Sequence, residues 1–139
     1  MSEEIKKYNL TQNINFMGWV SYQESIKYQR EADVLLLILD SDIPNACVVV
    51  HAKLFEYIFA NRPILALLPD GAAKDIIIRT NTGIVVSPDN VNQISSGILK
   101  MFHDWEKNNF KFNPNWNEIN KYNRKNLTQK LAQAFNSIS

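Results

Sequence analysis

The sequence predicts an α/β domain built on a doubly wound parallel sheet with helices on both faces. Two observations predict this fold class: short apolar runs of strand length recur along the chain, and a segment with helical periodicity follows each of them after a short connection. Parallel strands need long crossovers, which are usually helices, so this alternation favours parallel pairing. A chain of 139 residues is long enough for one such domain.

The first two strands are expected on either side of one helix. Residues 14–20 begin with alternating apolar and polar side chains, which predicts a strand, and Ser21 can then cap a helix over residues 22–31. After its first residue, the run at 33–39 is apolar on both faces. Such a run is typical of a strand in the middle of a parallel sheet that helices cover on each side.

The middle of the chain repeats this order. A polar stretch at 40–45 begins the loop at 40–50, and a helix at 51–60 follows this loop. Arg62-Pro63 then separates that helix from a buried strand at 64–68. The turn at 69–71 closes this strand. The loop and the turn therefore each leave the carboxyl end of a strand.

The last unit of the sheet consists of a short helix at 72–79, a strand at 83–86 and a helix that follows the lead-in residues 87–89 and reaches about residue 105. In the third of these segments, apolar residues at helical spacing make one stripe that is expected to lie against the sheet. The stripe consists of Ile94, Ile98, Leu99, Phe102 and Trp105.

The C-terminal part has a different composition. Residues 107–117 are rich in Asn and aromatic side chains and predict an irregular wrap around the body. We assign residues 1–106 to an α/β body and residues 107–139 to this wrap and a final amphipathic helix of the same domain. The apolar face of that helix comprises Leu127, Leu131, Ala134, Phe135 and Ile138.

Charge and cysteine content exclude several classes of partner. The formal net charge is +1, which gives no electrostatic reason to expect a nucleic-acid partner. The single cysteine, Cys47, has no intramolecular partner and fits a reducing compartment. The longest apolar run, at 34–39, is far shorter than the ~20 residues that cross a bilayer. A cytoplasmic protein is expected, with membrane contact that is at most peripheral.

Ligand sites of open parallel sheets lie beyond the carboxyl ends of the strands. The loops at 18–21, 40–50 and 70–74 qualify, but none carries the GxGxxG or P-loop pattern, so neither a Rossmann dehydrogenase nor a P-loop NTPase is supported. His51 and His103 lie far apart in sequence, and the chain has one cysteine that could serve as a further metal ligand. No metal site and no cofactor are expected.

The stretch at 52–66 is the most informative, and it contains Lys53-Leu54-Phe55-Glu56-Tyr57 followed by a basic residue, a proline and an apolar strand. It resembles the C-terminal, donor-binding domain of GT-B-fold glycosyltransferases, in the retaining, glycogen-synthase-like group that builds bacterial polysaccharides and glycolipids. The resemblance implies a Rossmann-like sheet and a UDP-, GDP- or ADP-sugar as donor. Segments that agree in order and spacing are 16–20, 32–36, 69–71, 83–86 and 122–131.

The resemblance also implies site residues. The family's glutamate that matches Glu56 binds the two ribose hydroxyls of the donor, although Glu56 could instead only pair with Lys53 on the surface. Lys53, near the amino end of the same helix, is expected to contact the diphosphate, and its alternative is a solvated lysine. Gly18 lies where the family's chain passes close to the base and pyrophosphate, and its alternative is an ordinary turn.

Asp70 and Gly71 are expected to face the donor sugar, but a turn of this composition also forms for purely local reasons. Many members of the family carry a second glutamate eight positions before the first, where this chain has Val48. No polar contact to the donor sugar is therefore expected from the loop at 40–50. The sequence identifies no catalytic group.

Two parts that the resemblance implies have no match in this sequence: a segment that neutralises the diphosphate and an N-terminal acceptor domain. We therefore expect a part of a hexosyltransferase that binds a nucleotide sugar, serves a glycan or glycolipid acceptor, and needs that domain or a partner subunit for activity. The alternative is a non-catalytic protein-interaction module with the same fold, which would form a homo-oligomer through an exposed sheet edge.

Overall fold

The computed structural model describes residues 2–109 and 111–138; Phe110, in the predicted wrap, lies outside this range. A three-stranded parallel sheet in the order β1-β2-β3 forms the centre. Its strands are β1 (Leu35–Ile38), β2 (Ile64–Leu67) and β3 (Gly83–Val86). Parallel pairing, with helices between successive strands, confirms the predicted fold class, a Rossmann-like α/β sheet with helices on both faces.

The helices alternate with the strands in the predicted order, and two of them, at the amino end and before the final helix, have no counterpart in the sequence prediction. Single turns of 3-10 helix lie at Ala46–Val48 and Asn120–Tyr122. The helices are α1 (Ser2–Lys7), α2 (Tyr22–Glu31), α3 (Ala52–Phe59), α4 (Ala72–Thr80), α5 (Val91–Glu106), α6 (Trp116–Ile119) and α7 (Arg124–Asn136).

One face of the sheet packs against α3 and α4 and forms the hydrophobic core. Leu54 and Ile58 lie four residues apart on α3, so they share one side of that helix, and both are buried. They pack in one cluster with Ile64 and Ala66 of β2 and Ile77 of α4, all buried. Burial of this side of α3 fixes the rotation of the helix about its axis.

The other face of the sheet packs against α5, but not through the predicted stripe. Gly97 and Met101 are the buried residues of α5, whereas Ile98, Phe102 and Trp105 are exposed. A Cβ on Gly97 would lie 3.2 Å from Leu65 Cδ1, so the missing side chain lets the helix come close to the sheet. The predicted stripe was therefore wrong by a rotation of the helix.

The strand β1 lies at an edge of the sheet, and this corrects its predicted central position. Its residues alternate between the faces: Leu35 and Leu37 are buried, but Leu36 and Ile38 are 52% and 57% exposed. The helix α5 packs on β2 and β3 and leaves this part of the second face open. Apolar residues on both faces of a strand thus did not mean that both faces are covered.

Residues 14–20 do not form the predicted strand. They lack regular secondary structure, and Phe16 and Trp19 are exposed, Trp19 completely. An alternating pattern becomes a strand only where its backbone finds a neighbouring strand to pair with, and within the described residues the sheet comprises β1, β2 and β3 alone. The sheet has three of the four predicted strands.

The C-terminal part is attached to α4. The backbone N–H of Asn115 donates to Thr80 O at 2.7 Å, and Asn81 Nδ2 donates to Asn113 O at 2.7 Å. Ile119 of α6 is completely buried. The final helix α7 forms as predicted, and the apolar side chains of Leu127 and Leu131 on it are exposed.

The helix α2 begins with a capping box. Glu24 N donates to Ser21 Oγ at 3.3 Å, and in return Ser21 N and Ser21 Oγ donate to Glu24 Oε2 at 2.9 and 2.6 Å. These hydrogen bonds to the ionised carboxylate lower the pKa of Glu24. The predicted cap at Ser21 is thus confirmed.

The capping box makes the stability of the chain depend on pH. Because the pKa of Glu24 is lowered in the folded chain, its contribution is fully present above the ordinary value of 4.5 and is lost as the pH falls through the lower folded value. We expect Glu24→Gln to reduce the free energy of unfolding at pH 7 and to differ less from wild type at pH 3. Urea unfolding at both pH values measures this, with Glu31→Gln on the same helix as control. An equal difference at both pH values would contradict it.

Candidate functional site

The loops that follow the three strands are joined at the carboxyl edge of the sheet. Ser41 Oγ, after β1, donates to Asp89 Oδ1, after β3, at 2.8 Å. Gly71, after β2, lies against the backbone of Cys47 in the loop after β1, where a Cβ would be 2.5 Å from Cys47 Cα. The crevice side of a parallel sheet is the expected place for a ligand, and here its loops support one another.

Glu56 lies one turn into α3, on the side of that helix away from Leu54 and Ile58. Its side chain is 29% exposed and accepts hydrogen bonds from Lys53 Nζ at 3.3 Å and from Gln29 Nε2 at 3.1 Å. Both contacts end on the same oxygen, Oε2. The other oxygen, Oε1, receives no hydrogen bond from residues 2–109 or 111–138, so it can accept one from a ligand.

Lys53 belongs to the first turn of α3, where backbone N–H groups and the helix dipole favour an anion. The N-cap residue, His51, makes no side-chain capping hydrogen bond within the described structure. The side chain of Lys53 is 48% exposed, and its ion pair with Glu56 is worth only a few tenths of a kcal/mol on a helix surface. The alternative considered for Glu56, an ion pair with Lys53, is therefore observed, and this pair is weak enough for Lys53 to exchange it for a phosphate.

Gln29 of α2 was missed by the sequence analysis. It is 6% exposed, and its amide joins Ser25 Oγ, at 3.2 Å, to the Glu56 carboxylate. Its partner lies 27 residues away in sequence, and α2 is too polar for a buried position to be recognised from periodicity. The local sequence therefore contained no pattern that would have identified this residue.

The other residues expected at the site lie in separate surroundings. Gly18 has a φ of +66°, and beyond Gly18 and its two chain neighbours no atom lies within 4 Å of the position of its absent Cβ. Asp70 Oδ1 is 2.6 Å from Lys74 Nζ, and this hydrogen bond lowers the pKa of the Asp70 carboxyl. Among the described residues the structure joins Lys53 to Glu56, but no hydrogen bond or ion pair joins Gly18, Asp70 or Gly71 to either.

A sequence model of the family described as glycosyl transferases group 1 matches residues 1–125, which include all three strands of the sheet and the helix that carries Glu56. The chain belongs to the group 1 glycosyltransferases. Neither the comparison with curated proteins nor that with solved structures gave a match. Membership of the family implies glycosyl transfer, with a nucleotide-sugar donor and an acceptor.

Three further observations describe this group 1 glycosyltransferase domain. Within residues 2–109 and 111–138, no three His, Cys, Asp or Glu side chains are grouped as a metal site would require. No helix in the same part of the chain is long and apolar enough to cross a membrane. Val48, the position at which the resemblance implies a second glutamate in many members, is an exposed residue of the turn Ala46–Val48.

The two glycines expected at the site should respond differently to an added methyl group. Gly71 has a φ of +148° and would place its Cβ against the Cys47 carbonyl, so Gly71→Ala should reduce the free energy of unfolding by about 3 kcal/mol. Gly18→Ala meets open space and should lose about 1 kcal/mol through backbone strain alone. Urea unfolding compares the two. Equal losses would contradict the packing of Gly71 on Cys47.

Proposed function

We propose that this chain is the donor-binding part of a hexosyltransferase, which transfers a sugar from a nucleotide diphosphate to a glycan or glycolipid. One observation carries the proposal: Glu56 is a half-buried carboxylate with one oxygen held by protein groups and the other open. Family membership supplies glycosyl transfer, and the carboxylate supplies a means of binding the donor's ribose.

The vicinal hydroxyls of a ribose are two hydrogen-bond donors separated by the spacing of a carboxylate. An ionised carboxylate accepts only, and hydrogen bonds to it are roughly twice as strong as those between neutral groups. Glu56 Oε1 can accept from one hydroxyl, and Oε2 can accept from the second once Lys53 has exchanged its ion pair for the phosphate, while Gln29 keeps its hydrogen bond. Partial burial strengthens these contacts because water competes less for them.

The remaining donor contacts are assigned by position. Lys53 and the first-turn N–H groups of α3 would bind the diphosphate, and Gly18 would let the chain pass close to the base and pyrophosphate. Asp70 and Gly71 would face the sugar, from the loop that rests on Cys47. The substrate is a UDP-, GDP- or ADP-sugar, and no cofactor takes part.

Retaining transfer needs a stabilised diphosphate leaving group and an acceptor hydroxyl held beside the anomeric carbon. We infer that another protein body, an acceptor domain or a partner subunit, completes these functions. The exposed apolar side chains of Leu36 and Ile38 on β1 support this inference, because they offer that body an apolar face. The enzyme would serve polysaccharide biosynthesis on the cytoplasmic side, with at most peripheral membrane contact.

Nucleotide titration tests the donor site. We expect UDP, GDP or ADP at millimolar concentration to shift backbone amide resonances around Gly18 and Glu56. Glu56→Gln keeps the shape but removes the charge, so it should weaken binding of the responding nucleotide by about tenfold. Glu106→Gln, an exposed carboxylate at the end of α5, is the matched control and should bind as wild type.

The titration has a clear negative outcome. If no nucleotide shifts resonances near Glu56, or if both glutamine variants bind like wild type, the donor site is not where we place it. Amide shifts confined to residues on other elements would lead to the same conclusion.

The exposed residues of β1 favour a second candidate function, a non-catalytic module that binds a protein through this face. In that case the chain should form a stable oligomer and give no nucleotide response. Leu36→Ser with Ile38→Ser should then abolish association in sedimentation velocity, while Leu127→Ser, an exposed apolar position on α7, should not. A monomeric wild-type chain that responds to nucleotide would refute this candidate.

A further inference from the structure

Gln29 is a buried polar side chain whose amide is only partly satisfied. Its Nε2 donates to Ser25 Oγ at 3.2 Å and to Glu56 Oε2 at 3.1 Å, which uses both N–H groups. Its Oε1 is buried and has no hydrogen-bond partner among the described residues. The structure thus satisfies the donors of this amide and leaves its acceptor unpaired.

The carboxylate of Glu56 fixes the orientation of this amide. Exchanging Nε2 and Oε1 of Gln29 would place an amide oxygen about where Nε2 now lies, 3.1 Å from Glu56 Oε2. Both atoms would then be acceptors, and an ionised carboxylate has no proton to share. The orientation that leaves Oε1 unpaired is therefore the one that supports Glu56.

An unpaired buried acceptor is unfavourable, since the group has lost its water and gained nothing in exchange. An apolar side chain of the same length would fill the space between α2 and α3 without this penalty. Natural proteins break the rule that buried polar groups are hydrogen-bonded chiefly at functional or strained sites. The unfavourable amide thus indicates a role for the hydrogen bond that it gives to Glu56.

We propose that Gln29 is a positioning residue of the donor site, which holds Glu56 Oε2 from α2 and so presents Oε1 to a ribose hydroxyl. The inference rests on the proposed function, in which Glu56 binds the ribose. Its specific consequence is selectivity: Gln29 helps the site distinguish ribonucleotides from nucleotides that lack the 2′ and 3′ hydroxyls.

Gln29 is better suited to this task than Lys53, the other partner of Glu56. The lysine side chain is about half exposed, whereas Gln29 is almost completely buried. When a diphosphate attracts Lys53, Glu56 loses that ion pair at the moment the ribose arrives. The amide of Gln29 is neutral, gains nothing from the phosphate, and stays on the carboxylate.

Variants of Gln29 test the proposal in the full chain. Gln29→Met keeps the length of the side chain and removes both donors. We expect it to weaken binding of the responding ribonucleotide among UDP, GDP and ADP by about tenfold. Affinity for the 2′,3′-dideoxy form of the same nucleotide should stay at the wild-type value. Gln23→Met, an exposed position on the same helix, is the control for the substitution itself.

The pattern of losses decides between positioning and general damage. Equal weakening of ribonucleotide and dideoxynucleotide by Gln29→Met would overturn the proposal, because a structural defect does not recognise hydroxyl groups. Unchanged binding of both would overturn it as well. If Glu56→Gln shows selective loss while Gln29→Met does not, the donor site stands and only the role of Gln29 fails. If neither variant is selective, the ribose contact itself fails.

A second measurement needs no nucleotide. The side-chain ¹⁵N and ¹H resonances of the Gln29 amide report its hydrogen bonds directly. We expect Glu56→Ala to shift them and Glu106→Ala to leave them unchanged. Identical Gln29 resonances in both variants would show that the contact is not made, and would overturn the proposal independently of any ligand.

Discussion

The parallel pairing of β1, β2 and β3 is the constraint on which the rest of this structure depends. It brings the carboxyl ends of all three strands to one edge, where Ser41 Oγ binds Asp89 Oδ1 at 2.8 Å. It also provides the surface on which α3 buries Leu54 and Ile58. That burial fixes the rotation of α3, and with it the direction of Glu56. The candidate site is thus a consequence of sheet geometry rather than of a local loop motif.

How much could be predicted depended on how local the cause was. The strands β1 to β3 are short apolar runs between turn residues, and α2 carries its own cap at Ser21, so the fold class followed from neighbouring residues. The strand expected at 14–20 required a distant pairing partner, which alternation cannot reveal. The rotation of α5 depends on the close approach of Gly97 to Leu65 of β2. The periodicity of the helix alone does not include a contact with another element.

The candidate site shows the same division. Glu56 and Lys53 are three residues apart on one helix, so their contact at 3.3 Å was available from the sequence as an alternative to donor binding. The packing of Gly71 on Cys47 and the hydrogen bond from Gln29 join residues on different elements. Both depend on how the connections after α2, β1 and β2 fold back on the sheet. Sequence patterns could therefore nominate the carboxylate but not its support.

The kind of support that Glu56 receives bears on its chemistry. A buried cation in place of Gln29 would neutralise the carboxylate, would itself be expensive to desolvate, and would compete with a ribose hydroxyl for the same oxygens. A neutral amide orients Oε2 without removing the negative charge, so Oε1 remains a strong acceptor. The cationic partner, Lys53, is instead about half exposed, so it can exchange its ion pair with Glu56 for one with a phosphate. The buried, neutral Gln29 therefore orients the carboxylate, and the exposed, charged Lys53 is left to bind the diphosphate.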